Sequence, residues 1–123
     1  MPGKLSTHVL DTANGRPAAN MQVQLFEING ESAQLIRTVR TNQDGRNPDG
    51  PLLDAENIKA GTFELRFHVG EYFRGQPNAP PPPENGIPFL DVVPVRFGIT
   101  DHTQGYHVPL LCSQWSSSTY RGS

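Results

Sequence analysis

Eight residues, Thr62-Phe63-Glu64-Leu65-Arg66-Phe67-His68-Val69, alternate polar and apolar side chains without a slip. A period of two puts Phe63, Leu65, Phe67 and Val69 on one face of an extended chain, and the 3.6-residue period of a helix cannot produce that pattern. Met21-Gln22-Val23-Gln24-Leu25-Phe26 repeats the alternation. Further strands are expected at Leu5 to Leu10, Leu35 to Thr41, Val92 to Ile99, Tyr106 to Leu111 and Ser116 to Arg121, with a short edge strand near Leu52. Seven or eight short strands in 123 residues point to one all-β domain spanning 1-123, a sandwich of two sheets around a single core.

The connections fit such a chain. Asn14-Gly15-Arg16-Pro17, Asn29-Gly30, Asp44-Gly45 and Ala60-Gly61 supply the residues that tight strand turns demand. A short helix is expected around Gly70-Glu71-Tyr72-Phe73-Arg74, too short to own an apolar face and therefore a surface connector. Behind it, the proline tract Pro80 to Pro83 is expected to be a stiff, extended surface loop, because proline cannot donate to a sheet ladder.

Charge removes several function classes. A net charge of −2 with thinly spread Lys and Arg leaves no basic stripe for nucleic acid and no polybasic patch for a membrane. No apolar run approaches the roughly 20 residues that span a bilayer, and no secretory leader is legible, so a soluble, cytoplasmic protein is expected. The single cysteine, Cys112, ends an apolar run and is expected as a small core residue rather than a nucleophile. There is no Gly-x-Ser-x-Gly elbow, no Cys-x-x-Cys or His-Glu-x-x-His signature and no glycine-rich phosphate loop. The expectation is catalysis with no metal and no cofactor, by polar side chains alone.

Few polar groups are placed for that task. In Leu5-Ser6-Thr7-His8-Val9-Leu10, alternation sets His8 on the face opposite Leu5, Thr7 and Val9, and His107 points away from Tyr106 and Val108. Arg46 follows the turn Thr41-Asn42-Gln43-Asp44-Gly45, which should present its guanidinium at a strand end. Imidazoles move protons near neutral pH, and an arginine holds carbonyl-rich or anionic groups. The final Tyr120-Arg121-Gly122-Ser123 follows strand-like sequence with no linker, so the sheet can hold it where most termini fray.

In order along the chain, Leu5-Ser6-Thr7-His8-Val9-Leu10-Asp11, Gly15-Arg16-Pro17-Ala18, Thr41-Asn42-Gln43-Asp44-Gly45-Arg46, Gly70-Glu71-Tyr72-Phe73, Tyr106-His107-Val108-Pro109-Leu110-Leu111 and Ser118-Thr119-Tyr120-Arg121-Gly122-Ser123 resemble the 5-hydroxyisourate hydrolases, transthyretin-like enzymes of urate breakdown. The resemblance implies a transthyretin-like β-sandwich assembled as a homotetramer, a dimer of dimers with active sites at the interface between dimers. It implies His8, Arg46, His107 and Ser123 as catalytic residues, and His8, Arg46, Tyr120, Arg121 and Gly122 as substrate-binding ones. The implied reaction is hydrolytic opening of the six-membered ring of 5-hydroxyisourate, with neither metal nor cofactor. Two departures stand out. The family commonly carries a further histidine where this chain has Gly105, and the Pro80 to Pro83 tract looks longer than the usual connection. The alternative on the same fold is a small-molecule carrier without catalysis; its channel should be open and partly apolar, unlike one lined by His8, Arg46 and His107.

Overall fold

A computed structural model describes residues 3–122 apart from positions 78, 80 and 82. Eight strands run in the order β1 (Lys4–Asp11), β2 (Arg16–Pro17), β3 (Gln22–Asn29), β4 (Ser32–Arg40), β5 (Gly61–His68), β6 (Val92–Ile99), β7 (Gly105–Cys112) and β8 (Ser117–Thr119), with helix α1 (Val69–Arg74) between β5 and β6. They form two four-stranded sheets, β2-β1-β7-β8 and β4-β3-β5-β6. All pairings are antiparallel except β1 with β7, which run parallel over their full lengths.

The alternation read from sequence is the alternation that builds the core. Leu5 and Val9 of β1, Val23 and Leu25 of β3, Phe63, Leu65 and Phe67 of β5, and Tyr106, Val108 and Leu110 of β7 are all buried between the sheets. Each such aliphatic or aromatic side chain contributes roughly 1.5–3 kcal/mol on leaving water. Gly15, Gly30 and Gly45 have φ of 68°, 61° and 76°, the left-handed region that the expected turns called for. Cys112 is buried and unpaired, as a core residue should be, and burial first, then the nearby Asp11, pushes its thiol pKa up to about 12.

Four expectations change. Val69 does not extend β5; it opens α1. That helix is not a mere surface connector, since Val69, Gly70, Tyr72 and Phe73 are buried. Tyr72 donates a 2.7 Å hydrogen bond to Asp11 Oδ2, and Asn14 holds both carboxylate oxygens through its backbone N–H and Nδ2, at 2.9 and 2.7 Å. Six residues have no useful apolar stripe by themselves; the helix is buried because Tyr72 reaches the Asp11 end of β1 and α1 packs beside β6. Arg16–Pro17, expected as turn, pairs with β1 as a two-residue strand. Near Leu52 there is no strand, only a bridge between Leu53 and Leu5. The proline tract lies partly outside the described residues, at 80 and 82; Pro81 and Pro83 are exposed. Among the described residues no helix is long and apolar enough to cross a membrane.

Candidate active site

The outward face of the β2-β1-β7-β8 sheet carries the polar residues. In β1 the side chains opposite the core are Lys4, Ser6, His8 and Leu10, each at least partly exposed, in contrast to buried Leu5, Thr7, Val9 and Asp11. The parallel register sets Lys4 beside Gly105, Ser6 beside His107 and His8 beside Pro109. His107 therefore stands level with Ser6, with His8 one step along the same face. Its Nδ1 lies 2.8 Å from Ser6 Oγ.

Arg46 arrives from the far side of β1. Gly45 accepts a 2.8 Å hydrogen bond from Val9 N–H through its carbonyl, docking the turn against the middle of the strand rather than at a strand end. A Cβ on Gly45 would collide with the Val9 carbonyl, and its positive φ excludes most other residues as well. Asn42 locks the turn from within: its Oδ1 accepts from the N–H groups of Asp44 and Arg46, at 2.9 and 3.1 Å, while its own N–H donates to the Arg46 carbonyl at 2.8 Å. This fixes the backbone of Arg46 and leaves its side chain exposed.

These groups act on one another electrostatically. The His107 pKa is held below its ordinary 6.5, first by burial and then by the positive charges of Arg46, His8 and Lys4. His8 and His107 share one outward face across the β1–β7 register, and the turn that carries Arg46 docks on β1 at Val9, next to His8. A neutral His107 can accept a proton, and an adjacent guanidinium can hold an oxygen on which negative charge develops.

The tail closes on the same ring. Gly122 donates its N–H to the His107 carbonyl at 2.7 Å and forms an antiparallel bridge with it, beyond the three-residue β8. Arg121 is committed elsewhere. Its guanidinium sits 4.3 Å from the Tyr106 ring centroid and donates to Gln104 Oε1 at 3.1 Å and the Gly105 carbonyl at 3.5 Å, clamping the tail to the start of β7. Tyr120 is 60% exposed at the end of β8. Ser123 lies outside the described residues.

Two members of the site were not singled out from sequence. Ser6 and Lys4 share the His8 face by the same alternation, but only the β1–β7 register reveals that Ser6 meets His107. Lys4 stands opposite Gly105, so the position where the family commonly has another imidazole faces an ammonium here.

Comparison with known proteins identifies the family. The chain is 52% identical over 121 residues to 5-hydroxyisourate hydrolase 2 of Rhizobium meliloti (strain 1021), covering 98% of this chain and 97% of that protein. Among solved structures it resembles Klebsiella pneumoniae 5-hydroxyisourate hydrolase, with a TM-score of 0.72 at 26% identity over 98% of this chain and 99% of the other. It also resembles (S)-allantoin synthase, with a TM-score of 0.87 at 46% identity, matching 98% of this chain but 44% of that longer one. The sequence profile of the HIUase/Transthyretin family matches residues 5–122, from the first core residue of β1 to the glycine that closes on His107, and the chain belongs to that family.

Proposed function

We propose that this protein is a hydrolase that opens the six-membered ring of 5-hydroxyisourate to give 2-oxo-4-hydroxy-4-carboxy-5-ureidoimidazoline. The observation that carries the reading is that His8 and His107 share one face of the β1–β7 pair, with the turn of Arg46 docked on β1 beside them and the His107 pKa lowered by burial and neighbouring positive charge. The 52% identity to a protein named for this activity, over nearly the whole of both chains, supports the substrate.

The chemistry follows from the groups present. Water attacks the ring carbonyl, giving up one proton to an imidazole as its oxygen bonds to carbon. Arg46 stabilises the oxyanion that forms. Collapse breaks the C–N bond, and the proton held by the histidine pair passes to the departing nitrogen. In the single chain His8 and His107 are partly exposed and Arg46 is exposed. We propose that assembly as a homotetramer, a dimer of dimers, covers them. In support, Ile87, Phe89 and Trp115 are large apolar side chains left 67, 72 and 68% exposed. Ser123 and Tyr120 would help position the ring within the closed site.

The test is direct. 5-Hydroxyisourate is generated from urate by urate oxidase, and its ultraviolet decay is followed with and without the protein. Acceleration that His107→Asn abolishes is the expected result; a correctly folded wild type that leaves the decay unchanged would overturn the reading and favour a carrier. Sedimentation at micromolar concentration reports the assembly separately.

A further inference from the structure

The Ser6–His107 pair decides which ring nitrogen faces the substrate. In a neutral imidazole one nitrogen bears the proton and the other a lone pair, and the hydrogen bond at one nitrogen sets the state of the other. Ser6 Oγ is 2.8 Å from Nδ1, in register across the β1–β7 pairing, so Nδ1 is committed to Ser6. Nε2 is then the nitrogen left for chemistry. Two arrangements satisfy the distance. Either the Ser6 hydroxyl donates to a bare Nδ1 and Nε2 keeps a proton, or Nδ1–H donates to Ser6 and Nε2 presents a lone pair.

The role of a base chooses between them. Only the second arrangement leaves Nε2 a lone pair with which to take a proton from water, and Ser6 is flanked on the same face of β1 by Lys4 and His8, with no carboxylate among them. A serine hydroxyl, unlike a carboxylate, accepts Nδ1–H without adding a charge that would draw a second proton onto the ring.

We propose that Ser6 is the positioning residue of His107: it accepts the Nδ1–H, fixes the tautomer with Nε2 unprotonated, and so makes His107 the group that takes the proton from water. The step balances simply. Nε2 binds the proton released as the water oxygen bonds to carbon, giving a transient imidazolium, and returns it to the leaving nitrogen. Ser6 keeps its own hydrogen throughout. This assignment rests on the hydrolase reading for its meaning in catalysis, but not for its geometry.

The experiment therefore has two readouts. In protein labelled with 15N-histidine, with the His107 signals identified by their loss in His107→Asn, wild type near neutral pH should show a protonated Nδ1 and a pyridine-like, unprotonated Nε2. Ser6→Ala should shift the population toward the other tautomer, and Ser6→Thr, which keeps a hydroxyl, should retain the wild-type pattern. In turnover of 5-hydroxyisourate, Ser6→Ala should lower kcat about tenfold with little change in KM, and Ser6→Thr should recover most of it. A protonated Nε2 in wild type, or a tautomer population unchanged in Ser6→Ala, would overturn the proposal. The predicted tautomer in a protein that does not turn over 5-hydroxyisourate would overturn the hydrolase reading and leave the Ser6 contact standing.

Discussion

Gly122 lies so close to His107 that a Cβ built on it would come within 2.7 Å of the imidazole Cδ2 and 3.2 Å of Cγ, while its N–H holds the His107 carbonyl at 2.7 Å. The tail is thus a backbone buttress for the ring, and only a residue without a side chain can stand there undisturbed.

Gly122→Ala should push the His107 ring out of place. Overpacking of this kind costs about 1–3 kcal/mol when neighbours cannot yield, and displacement of a reacting group by an ångström costs on the order of 100-fold in rate. Loss of kcat with a melting temperature lowered by only a few degrees is the expected pattern. Wild-type kinetics in this variant would show that the tail does not position the ring.

Removal of either imidazole tests the proton-transfer scheme. His107→Asn and His8→Asn should each lower kcat/KM by about 10²–10⁴-fold while circular dichroism stays that of a β protein. Arg46→Lys should not rescue Arg46→Ala, because an ammonium lacks the planar fork of a guanidinium. Full activity in Arg46→Lys would reduce the role of Arg46 to that of a point charge.

The pH dependence has a definite sign. Burial, then the charges of Arg46, His8 and Lys4, lower the His107 pKa below 6.5, so its basic form persists into mildly acidic solution. The acid limb of kcat/KM belonging to His107 should lie below pH 6.5, and Arg46→Gln should raise it without restoring the ordinary value, since burial remains. For stability, the unfolded chain binds the His107 proton more readily than the folded one. Its contribution is therefore present above pH 6.5 and is lost as pH falls from 6.5 toward the depressed folded value. NMR titration of the His107 ring checks both statements; a midpoint above 6.5 contradicts them.

Gly45→Ala should weaken the fold and the site together. The φ of 76° and the contact with the Val9 carbonyl leave no room for a methyl group, and a loss of at least about 1 kcal/mol is expected in urea unfolding. Because the same turn carries Arg46, activity should fall by more than the folded fraction does. An equal fall in both would mean that Arg46 finds its place without the docked turn.

Tyr72→Phe removes one of the three hydrogen bonds to the buried Asp11 carboxylate and leaves the two from Asn14. A loss of about 1–3 kcal/mol is expected, without a change in KM, since α1 and the end of β1 are not among the residues gathered around His107. Calorimetry and steady-state kinetics on the same preparation separate the two effects.

The strands, the paired turns and the outward setting of His8 and His107 were legible in the chain because each depends on neighbours within a few residues. Alternation along Thr62 to His68 needs no distant partner to declare itself. The burial of α1 was not legible, because Tyr72 is buried by Asp11, sixty-one positions away. The docking of Arg46 at the middle of β1 was hidden for the same reason: the turn is local, but Val9 as its landing point is not.

The sequence by itself determined which face each strand residue occupies, since side chains alternate whatever the partner strand may be. Only the tertiary structure decided which faces meet. Parallel pairing of β1 with β7 brings Ser6 to His107 across 101 positions, sets Lys4 opposite Gly105, and lets Gly122 close on the ring. Register between distant strands is a property of two segments and of the core they share, and no single segment contains it.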